Sequence, residues 1–297
     1  MKYDVLIVGA GPAGIFAALE LSKHEGLKVC IVDKGLDIDQ RVRSANLLTG
    51  WGGAGAFSDG KLTLSPEVGG QLSNLMPERD VRMLLTQVDQ TWLDYGASTR
   101  LYGTDEDRVA AIERRAQLAG LKLVHSAVRH LGTELCPTIL TSMRDAVREK
   151  VDVRMQTTVD HLLVEDGTVT GAVTESGETI EATYVIAAPG RAGADWLARE
   201  AERLNLRTAT NPVDIGVRVE LPAAVLEDLT EVVYEPKLVY YSRSFDDKVR
   251  SFCVCPNGEV VLEKHDGVTS VNGHSYAKKL TANTNFALLV SVSFTEP

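Results

Sequence analysis

The stretch Gly9-Ala10-Gly11-Pro12-Ala13-Gly14 decides the fold, because it lies between a predicted strand and a predicted helix. The residues before it, Tyr3–Val8, form an apolar, β-branched run that is typical of a strand buried on both faces. Gly9 allows the tight turn out of the strand, and Gly14 allows the helix to pack closely on the sheet. Gly11 has no Cβ to hold a phosphate away from the backbone. The spacing therefore predicts a phosphate-binding turn between a strand and a helix.

The next strand supports this interpretation. Residues 28–33 form a second apolar run that ends in Asp33, and 33 − 14 places this acid 19 residues after the last glycine. A carboxylate at that point can accept both hydroxyls of an adenosine ribose and would repel a 2′-phosphate. The alternative is a solvent-exposed Asp that follows a glycine-rich turn by chance. That alternative does not explain why the strand, the glycines, the helix and the acid occur together in this order and spacing. We therefore expect a dinucleotide site here.

Composition limits the classes of partner. The chain has 297 residues, enough for about two domains, and a formal net charge of −10. Nucleic acid and anionic membrane are not expected as partners, because either would require a basic face. Four cysteines are too few for a disulfide framework in a chain of this length, and no apolar run is long enough to span a bilayer. The cytoplasm is the expected compartment.

A second glycine cluster follows, with four glycines among residues 50–55. Such a density is typical of backbone that approaches a bulky cofactor, because each missing Cβ admits a phosphate or a ring edge. A flexible linker is the alternative, but Trp51 and Phe57 are large apolar residues that a linker would not carry. Arg41 and Arg43, just before the cluster, are available for phosphate.

The middle of the chain combines helices with a β-meander. Residues 77–120 and 137–150 have helical patterns, and we interpret this region as an insertion into the sheet of the first domain. A strand at 151–159 leads into a meander with turns at Asp166-Gly167 and Ser176-Gly177. The apolar strand at 184–191 follows. A meander at this place favours a flavoprotein over a nicotinamide-binding fold with continuous βα repeats.

Several stretches carry a family resemblance. The acid after the second strand, the Gly52-Gly53 pair, the meander and Ala187-Ala188-Pro189-Gly190 together resemble the glutathione-reductase-type FAD-binding fold. Residues 52–62 (GGAGAFSDGKL), 252–260 (FCVCPNGEV) and 283–290 (NTNFALLV) resemble a family of uncharacterised FAD-dependent, NAD(FAD)-utilising dehydrogenases. The resemblance covers essentially the whole chain. It implies FAD as cofactor, bound by Gly9, Gly11, Pro12, Ala13, Gly14, Asp33, Lys34, Arg41, Gly52, Gly53, Ser58, Val159, Ala188 and Gly190.

The expected fold class is α/β, with a Rossmann-like FAD/NAD(P)-binding domain and a β-rich α+β substrate domain. We place the first domain at residues 1–204, with its helical insertion at about 63–150, and the second at 205–297. Pro256-Asn257-Gly258 predicts a hairpin turn in the second domain. No Gly-Asp pair completes the FAD site, and the sequence ends after a predicted strand at 286–294. We therefore expect a chain truncated at its C-terminus, lacking a segment that contributes to FAD binding.

The sequence gives little support for metal-dependent, hydrolase or thiol chemistry. The six histidines show no metal-binding spacing, so no metal is expected, and a G-x-S-x-G elbow is absent. His130 could act as an acid near the flavin, although a core or surface histidine is favoured. Cys253 and Cys255 would lie on one face of a strand with Cα atoms about 7 Å apart, at the upper limit for a disulfide. Two buried structural cysteines are favoured over a thiol exposed to the flavin.

The resemblance implies an FAD-dependent oxidoreductase that transfers hydride between the flavin and a small organic substrate. Only one G-x-G-x-x-G follows a predicted strand and opens a predicted helix, so any NAD(P)H would dock directly at the flavin. The alternative is a non-catalytic nucleotide-binding relative that keeps the fold without the chemistry. The residues that would carry catalysis, the substrate and the electron donor or acceptor are not identified by these patterns.

Overall fold

The computed structural model describes residues 2–43, 47–69, 72–265, 268–276, 278 and 281–293. Its helices are α1 Pro12–Leu21, α2 Glu78–Asp94, α3 Glu106–Leu118, α4 Cys136–Arg148, α5 Ala194–Arg203 and α6 Glu227–Val233. Its strands are β1 Tyr3–Val8, β2 Val29–Val32, β3 Lys61–Thr63, β4 Lys122–Val124, β5 Val128–His130, β6 Val151–Arg154, β7 Val159–Glu165, β8 Thr168–Thr174, β9 Thr179–Ala187, β10 Val213–Pro222, β11 Lys237–Tyr241, β12 Lys248–Cys255, β13 Glu259–His265, β14 Val268–His274 and β15 Asn283–Val292.

The chain forms two compact units. Unit 1 comprises Met1–Ser58 and Cys136–Thr208, and unit 2 comprises Asp59–Leu135 and Ala209–Pro297. The segment expected as an insertion is divided between them, because α4 packs against α1 and β6 of unit 1. Residues 63–135 instead join the C-terminal residues in unit 2. The chain passes from one unit to the other after Ser58, Leu135 and Thr208, and the expected domain boundaries at 63, 150 and 205 stay predictions.

Unit 1 contains a six-stranded sheet in the order β6-β2-β1-β9-β8-β7. The first four strands are parallel, and β7, β8 and β9 form an antiparallel meander. Strands β1 and β2 are almost completely buried, as expected of apolar runs covered on both faces. The prediction of a parallel sheet with a β-meander is confirmed.

Helix α1 starts directly after the glycine turn. Gly11 is its N-cap and Pro12 its first residue, where the missing N–H of proline costs no hydrogen bond. Gly14, Ile15, Ala18 and Leu19 form the buried face of the helix. The absence of a side chain at Gly14 is required, because a Cβ there would overlap the carbonyl oxygen of Gly9.

Unit 2 is built on a five-stranded antiparallel sheet in the order β10-β15-β12-β11-β4. Strand β4 comes from the first segment of the unit and pairs with β11 from the second. Helices α3 and α6 share an apolar core with this part of the sheet, which contains Val109, Ile112, Ala116, Leu123, Val232 and Val233. Two further strand pairs, β3 with β5 and β13 with β14, complete the unit. The expected β-rich second domain is confirmed.

The hairpin predicted at Pro256-Asn257-Gly258 is wrong. This turn connects β12 to β13, but β12 pairs with β11 and β15, and β13 pairs with β14. Both edges of β12 are therefore already occupied, which leaves no edge for β13. The strand predicted at 286–294 is β15, which starts at Asn283; residue 294 lies outside the described residues.

Among the helices that the structure describes, we find none with the length and apolar character needed to cross a membrane.

Candidate functional site

The first glycine turn is closely packed on one side and open on the other. Gly9 has φ of 108°, and a Cβ at this position would overlap the carbonyl oxygen of Ala188, at the end of the strand beside β1. A Cβ at Gly11, in contrast, would meet no heavy atom within 4 Å. The space beside Gly11 at the N-terminus of α1 is therefore open, and a helix N-terminus is a position where backbone N–H groups can bind a phosphate.

Asp33 connects this turn to two other segments. Its Oδ2 accepts a hydrogen bond of 2.8 Å from the backbone N–H of Ala10. Its Oδ1 accepts bonds of 2.8 Å from the N–H groups of Gly35 and Gly50. The carboxylate thus ties the first glycine turn, the end of β2 and the second glycine cluster together. A carboxylate has about four lone-pair sites, so acceptor capacity remains for a ribose hydroxyl.

The second glycine cluster packs on the first. The N–H of Gly52 donates to the carbonyl of Ala10 at 2.8 Å, and a Cβ at Gly53 would lie 3.0 Å from the Cα of Gly11. Trp51 is completely buried, and its Nε1 donates to the carbonyl of Leu140 at 2.8 Å. The cluster is therefore a fixed part of unit 1, as its large apolar residues suggested.

Two cavities of unit 1 contain most of the predicted site residues. The Asp33 cavity, of about 490 Å³, is lined by Gly9, Asp33, Lys34 and Val159 among others. The Gly11 cavity, of about 610 Å³, is lined by Gly11, Pro12, Ala13, Ala188 and Gly190 among others. Pro189 lines both cavities. The structure thus brings nine of the predicted residues to two cavities with a shared wall residue.

The remaining predicted residues lie elsewhere. Arg41 is buried, and its guanidinium donates to the carbonyls of Leu47 at 3.1 Å, Gly53 at 2.8 Å and Trp51. Burial lowers the pKa of Arg41 to about 10, although the Asp33 carboxylate acts in the opposite direction. These contacts make Arg41 a brace for the second glycine cluster. Gly14 lies inside the helix packing, and Ser58 ends the 3-10 helix Gly53–Phe57.

Unit 2 contains a buried polar cluster around Lys61. The Lys61 ammonium lies 3.0 Å from Oδ2 of Asp59, and both side chains are less than 10% exposed. The same ammonium donates to the carbonyl of Val254 at 2.9 Å and lies 3.5 Å from Sγ of Cys253 and 3.6 Å from Sγ of Cys255. Burial by itself would lower the pKa of Lys61, but Asp59 and the two sulfurs raise it well above its ordinary value.

This cluster is where the three stretches that carry the family resemblance meet. Asp59 and Lys61 come from residues 52–62, the two cysteines from 252–260, and Asn285 from 283–290. The Arg218 guanidinium joins them, because it donates to Oδ1 of Asn285 at 2.6 Å and to the carbonyl of Cys253 at 2.9 Å. Sequence reasoning assigned no role to Lys61, Arg218 or Asn285. Lys61 and Asn285 lie in the quoted stretches, and Arg218 lies on β10, which pairs with β15. This link to the quoted stretches was the signal that could have identified them.

A second polar chain leads from Asp59 to Tyr234. Ser275 Oγ donates to Asp59 Oδ2 at 3.2 Å and lies 3.2 Å from Nε2 of His130. The Tyr234 hydroxyl lies 2.9 Å from Nδ1 of the same histidine. Burial lowers the pKa of His130 to about 4, so its ring is neutral near pH 7. Burial also raises the pKa of Tyr234, so its hydroxyl keeps its proton.

Each of these polar chains borders a cavity of unit 2. The Lys61 cavity, of about 650 Å³, is lined by Asp59, Lys61, Phe252 and Cys253 among others. The Tyr234 cavity, of about 320 Å³, is lined by Arg100, Tyr102, His130, Tyr234 and Tyr276 among others. Both cavities therefore combine titratable groups with aromatic walls, as small-molecule sites do.

Within the described residues, one group could offer three ligand atoms to a metal: Asp59, Cys253 and Cys255, whose ligand atoms lie within 4.8 Å of one another. The Lys61 ammonium lies within 3.6 Å of all three ligand atoms. A protonated lysine thus already supplies the positive charge that these atoms would offer to a cation.

Comparison with known families covers nearly the whole chain. Residues 4–244 match the family described as FAD binding domain. Residues 212–296 match the family described as FAD-dependent protein, C-terminal domain-like. The first match covers nearly all of unit 1, the first segment of unit 2 and the beginning of its second segment, and the second match covers nearly all of that second segment.

Individual relatives are more distant. An uncharacterized protein of Clostridium beijerinckii is 28% identical, in an alignment covering 99% of this chain and 52% of the relative. A mitochondrial electron transfer flavoprotein-ubiquinone oxidoreductase of Arabidopsis thaliana is 46% identical over 52 residues, 16% of this chain and 8% of the relative. Among solved structures, glycine oxidase from Bacillus cereus has a TM-score of 0.47 at 16% identity, covering 99% of this chain and 73% of that chain. The chain spans about half the length of the first of these relatives.

The role of Asp33 can be tested by hydrogen exchange. In an Asp33→Ala variant we expect the amides of Ala10, Gly35 and Gly50 to exchange roughly ten- to hundredfold faster, because each loses a charge-assisted bond of about 1.5–3 kcal/mol. Asp4→Ala is the matched control, since Asp4 accepts a bond of 2.8 Å from the Lys28 amide and lies away from the three amides tested. Unchanged exchange at the three amides would contradict the proposed connection.

The burial of His130 predicts a pH dependence of stability. The folded-state pKa is about 4 and the unfolded value about 6.5. Between these values only the unfolded chain binds the proton, so the free energy of unfolding falls as the pH drops from 6.5 to 4. The expected loss in the free energy of unfolding is roughly 3 kcal/mol.

Denaturant titrations at several pH values should show that the free energy of unfolding depends less on pH in His130→Gln than in the unchanged chain. The exposed control His24→Gln should behave like the unchanged chain, and equal slopes in all three proteins would exclude this effect.

Proposed function

The chain belongs to the FAD binding domain family of FAD-dependent oxidoreductases, its cofactor is FAD, and we propose that it transfers hydride between this FAD and a small organic substrate. The observation that carries the proposal is the open space at Gly11, bordered by the N-terminus of α1. A helix N-terminus beside open space can stabilise a pyrophosphate, because its N–H groups have no partners within the helix.

We assign the residues of unit 1 to the parts of the cofactor. Gly11, Pro12 and Ala13, with Ala188 and Gly190, would hold the pyrophosphate in the Gly11 cavity. Asp33, Lys34 and Val159 would hold the adenosine half in the Asp33 cavity. The carboxylate of Asp33 is already fixed by three amides, so it would meet a ribose without losing further conformational entropy.

When bound, FAD supplies the redox chemistry, and the protein contributes binding, orientation and electrostatics. Unit 2 would contribute the substrate site. The Tyr234 cavity is the candidate, because a neutral imidazole and a protonated phenol meet there. Such a pair can accept and donate a proton as an organic substrate is oxidised or reduced. The Tyr234 side chain would face the substrate, and the His130 ring would position the Tyr234 hydroxyl.

The finer assignment, to a glutathione-reductase-type fold and to uncharacterised NAD(FAD)-utilising dehydrogenases, is part of this proposal. It is supported by the meander of β7, β8 and β9 and by the position of Asp33. NAD(P)H, docking directly at the flavin, is the proposed electron donor. Because the chain spans about half the length of the relative that it matches end to end, the activity of the whole protein is equally a proposal.

Gly11 provides a sharp test of the cofactor site. A Gly11→Val variant should fold normally, because the residue has φ of −76° and ψ of −177° and its Cβ direction is open. Its branched side chain would displace the phosphate and weaken FAD binding about a hundredfold, by removing hydrogen bonds to a charged group. Isothermal titration with FAD measures this loss. Lys23→Val, just beyond the other end of α1, is the control, and equal affinities in both variants would refute the assignment.

Catalysis can be tested by anaerobic reduction of the bound flavin. We expect NADH, NADPH or one member of a panel of small alcohols, amines, hydroxy acids and saturated acids to bleach the flavin absorbance. Tyr234→Phe should slow this reduction without changing FAD affinity, because it removes the phenolic hydroxyl of unit 2 and leaves the aromatic ring in place. A protein that binds FAD tightly and is reduced by none of these donors would instead support the non-catalytic nucleotide-binding alternative.

A further inference from the structure

Strand β12 is irregular at its two cysteines. Its pairing with β15 shifts register between Phe252 and Cys255, and Cys253 has φ of 48°, in the left-handed region. A regular strand would separate the two Cα atoms of a C-x-C by about 7 Å. The bulge instead turns both side chains toward each other, so the two Sγ atoms lie 3.8 Å apart. Such bulges typically redirect side chains next to functional sites.

The two sulfurs differ in access. Cys253 is half-buried and lines the Lys61 cavity, whereas Cys255 is completely buried behind it. The Cys255 thiol lies 3.8 Å from Oδ2 of Asp59. A molecule in the Lys61 cavity can therefore reach Cys253 first, and Cys255 is in position to react only with Cys253.

The charges around the pair favour a thiolate at Cys253. The hydrogen bond from Cys255, together with the charges of Lys61 and Arg218, lowers the pKa of the Cys253 thiol to about 6 against the opposing effects of burial and Asp59. The same hydrogen bond raises the pKa of Cys255, which keeps its proton. The buried Lys61 ammonium lies 3.5 Å from Sγ of Cys253, where it can stabilise the thiolate.

We propose that Cys253 and Cys255 form a thiol–disulfide exchange site that takes a low-molecular-weight disulfide from the Lys61 cavity. Cys253 is the attacking thiolate and Cys255 the resolving thiol. This activity is independent of the hydride transfer proposed above, because it uses only residues of unit 2 and no flavin.

The reaction balances in two steps. The Cys253 thiolate attacks one sulfur of R–S–S–R, so a bond between Cys253 and that sulfur forms, the S–S bond of the substrate breaks, and RS⁻ leaves. Cys255 then attacks Sγ of Cys253, the intramolecular disulfide forms, and a second RS⁻ leaves and takes the proton of Cys255. The two cysteines lose two electrons in total, and the substrate gains them as two thiols. Closure requires the sulfurs to approach from 3.8 Å to about 2.0 Å.

The experiment uses the purified full chain with its FAD and glutathione disulfide as the probe. After reaction and alkylation of the remaining thiols, peptide mass spectrometry should find a Cys253–Cys255 disulfide. Cys30 and Cys136 are buried in unit 1 and serve as internal controls that stay reduced. Iodoacetamide should modify Cys253 with a half-maximal rate near pH 6, against about 8.5 for an ordinary cysteine.

Single variants separate the roles of the two thiols. Cys255→Ser should accumulate one glutathione bound at Cys253, because the resolving thiol is absent. Cys253→Ser should react at least tenfold more slowly, because Cys255 does not line the cavity. Lys61→Gln should shift the pH midpoint of alkylation upward by about one unit or more, and Lys61→Arg should restore it.

The contrary results are equally specific. The proposal is overturned if Cys30 or Cys136 reacts as fast as Cys253, or if no intramolecular disulfide forms in the unchanged chain. It is also overturned if the chain binds zinc stoichiometrically through Asp59 and the two cysteines, as metal analysis before and after chelation would show. Should the Lys61 variants fail to fold, the pH profile of the unchanged chain and the Cys255→Ser adduct decide the question.

Discussion

The carboxylate of Asp33 is the interaction on which unit 1 depends. Three backbone amides, from Ala10, Gly35 and Gly50, converge on its two oxygens. They belong to segments with many glycines, which lose more conformational entropy on folding than any other residue. A charged acceptor with three donors offsets part of this cost and holds the phosphate-binding turn in one conformation. The second glycine cluster is fixed for the same reason, through Gly50 and through the bond between Gly52 and Ala10.

The buried Lys61 ammonium has the corresponding role in unit 2. Moving a charge out of water costs several kcal/mol unless partners replace the water. Asp59, the Val254 carbonyl and the two cysteine sulfurs replace it here. Val254 and the two cysteines lie far from Lys61 along the chain, so the ammonium both requires the fold of unit 2 and holds two of its segments together. The same charge stabilises a thiolate, so stability and chemistry rest on one side chain.

Much of unit 1 could be predicted from the sequence. The glycine spacing, Asp33, the strand at β1 and the meander are local patterns, because each follows from residues that are neighbours along the chain. The expected role of Arg41 at the phosphate stays a prediction. A basic side chain near a phosphate site suggests a ligand contact, but burial turns its guanidinium toward three backbone carbonyls. Sequence patterns report charge and spacing, and they do not report the direction of a side chain.

Strand pairing and strand geometry are also beyond local sequence patterns. The hairpin predicted at Pro256-Asn257-Gly258 and the geometry of the two cysteines are examples. The turn itself was correct, but the partner of β12 is set by long-range pairing with β11 and β15. The expected separation of Cys253 and Cys255 assumed an extended strand, and the bulge removes that assumption. A register shift depends on the strand alongside, which lies far away in sequence.

The sequence by itself determined the βαβ start of the fold and the class of cofactor, and it predicted Asp33 as the acid at the ribose, because these follow from short-range sterics at glycine and from strand and helix periodicity. Only the tertiary structure decided that Asp59, Lys61, Cys253, Cys255 and Asn285 share one buried cluster. Their nearness comes from strand pairing and from the need to pair a buried charge. Both are long-range constraints, which no local pattern of residues can express.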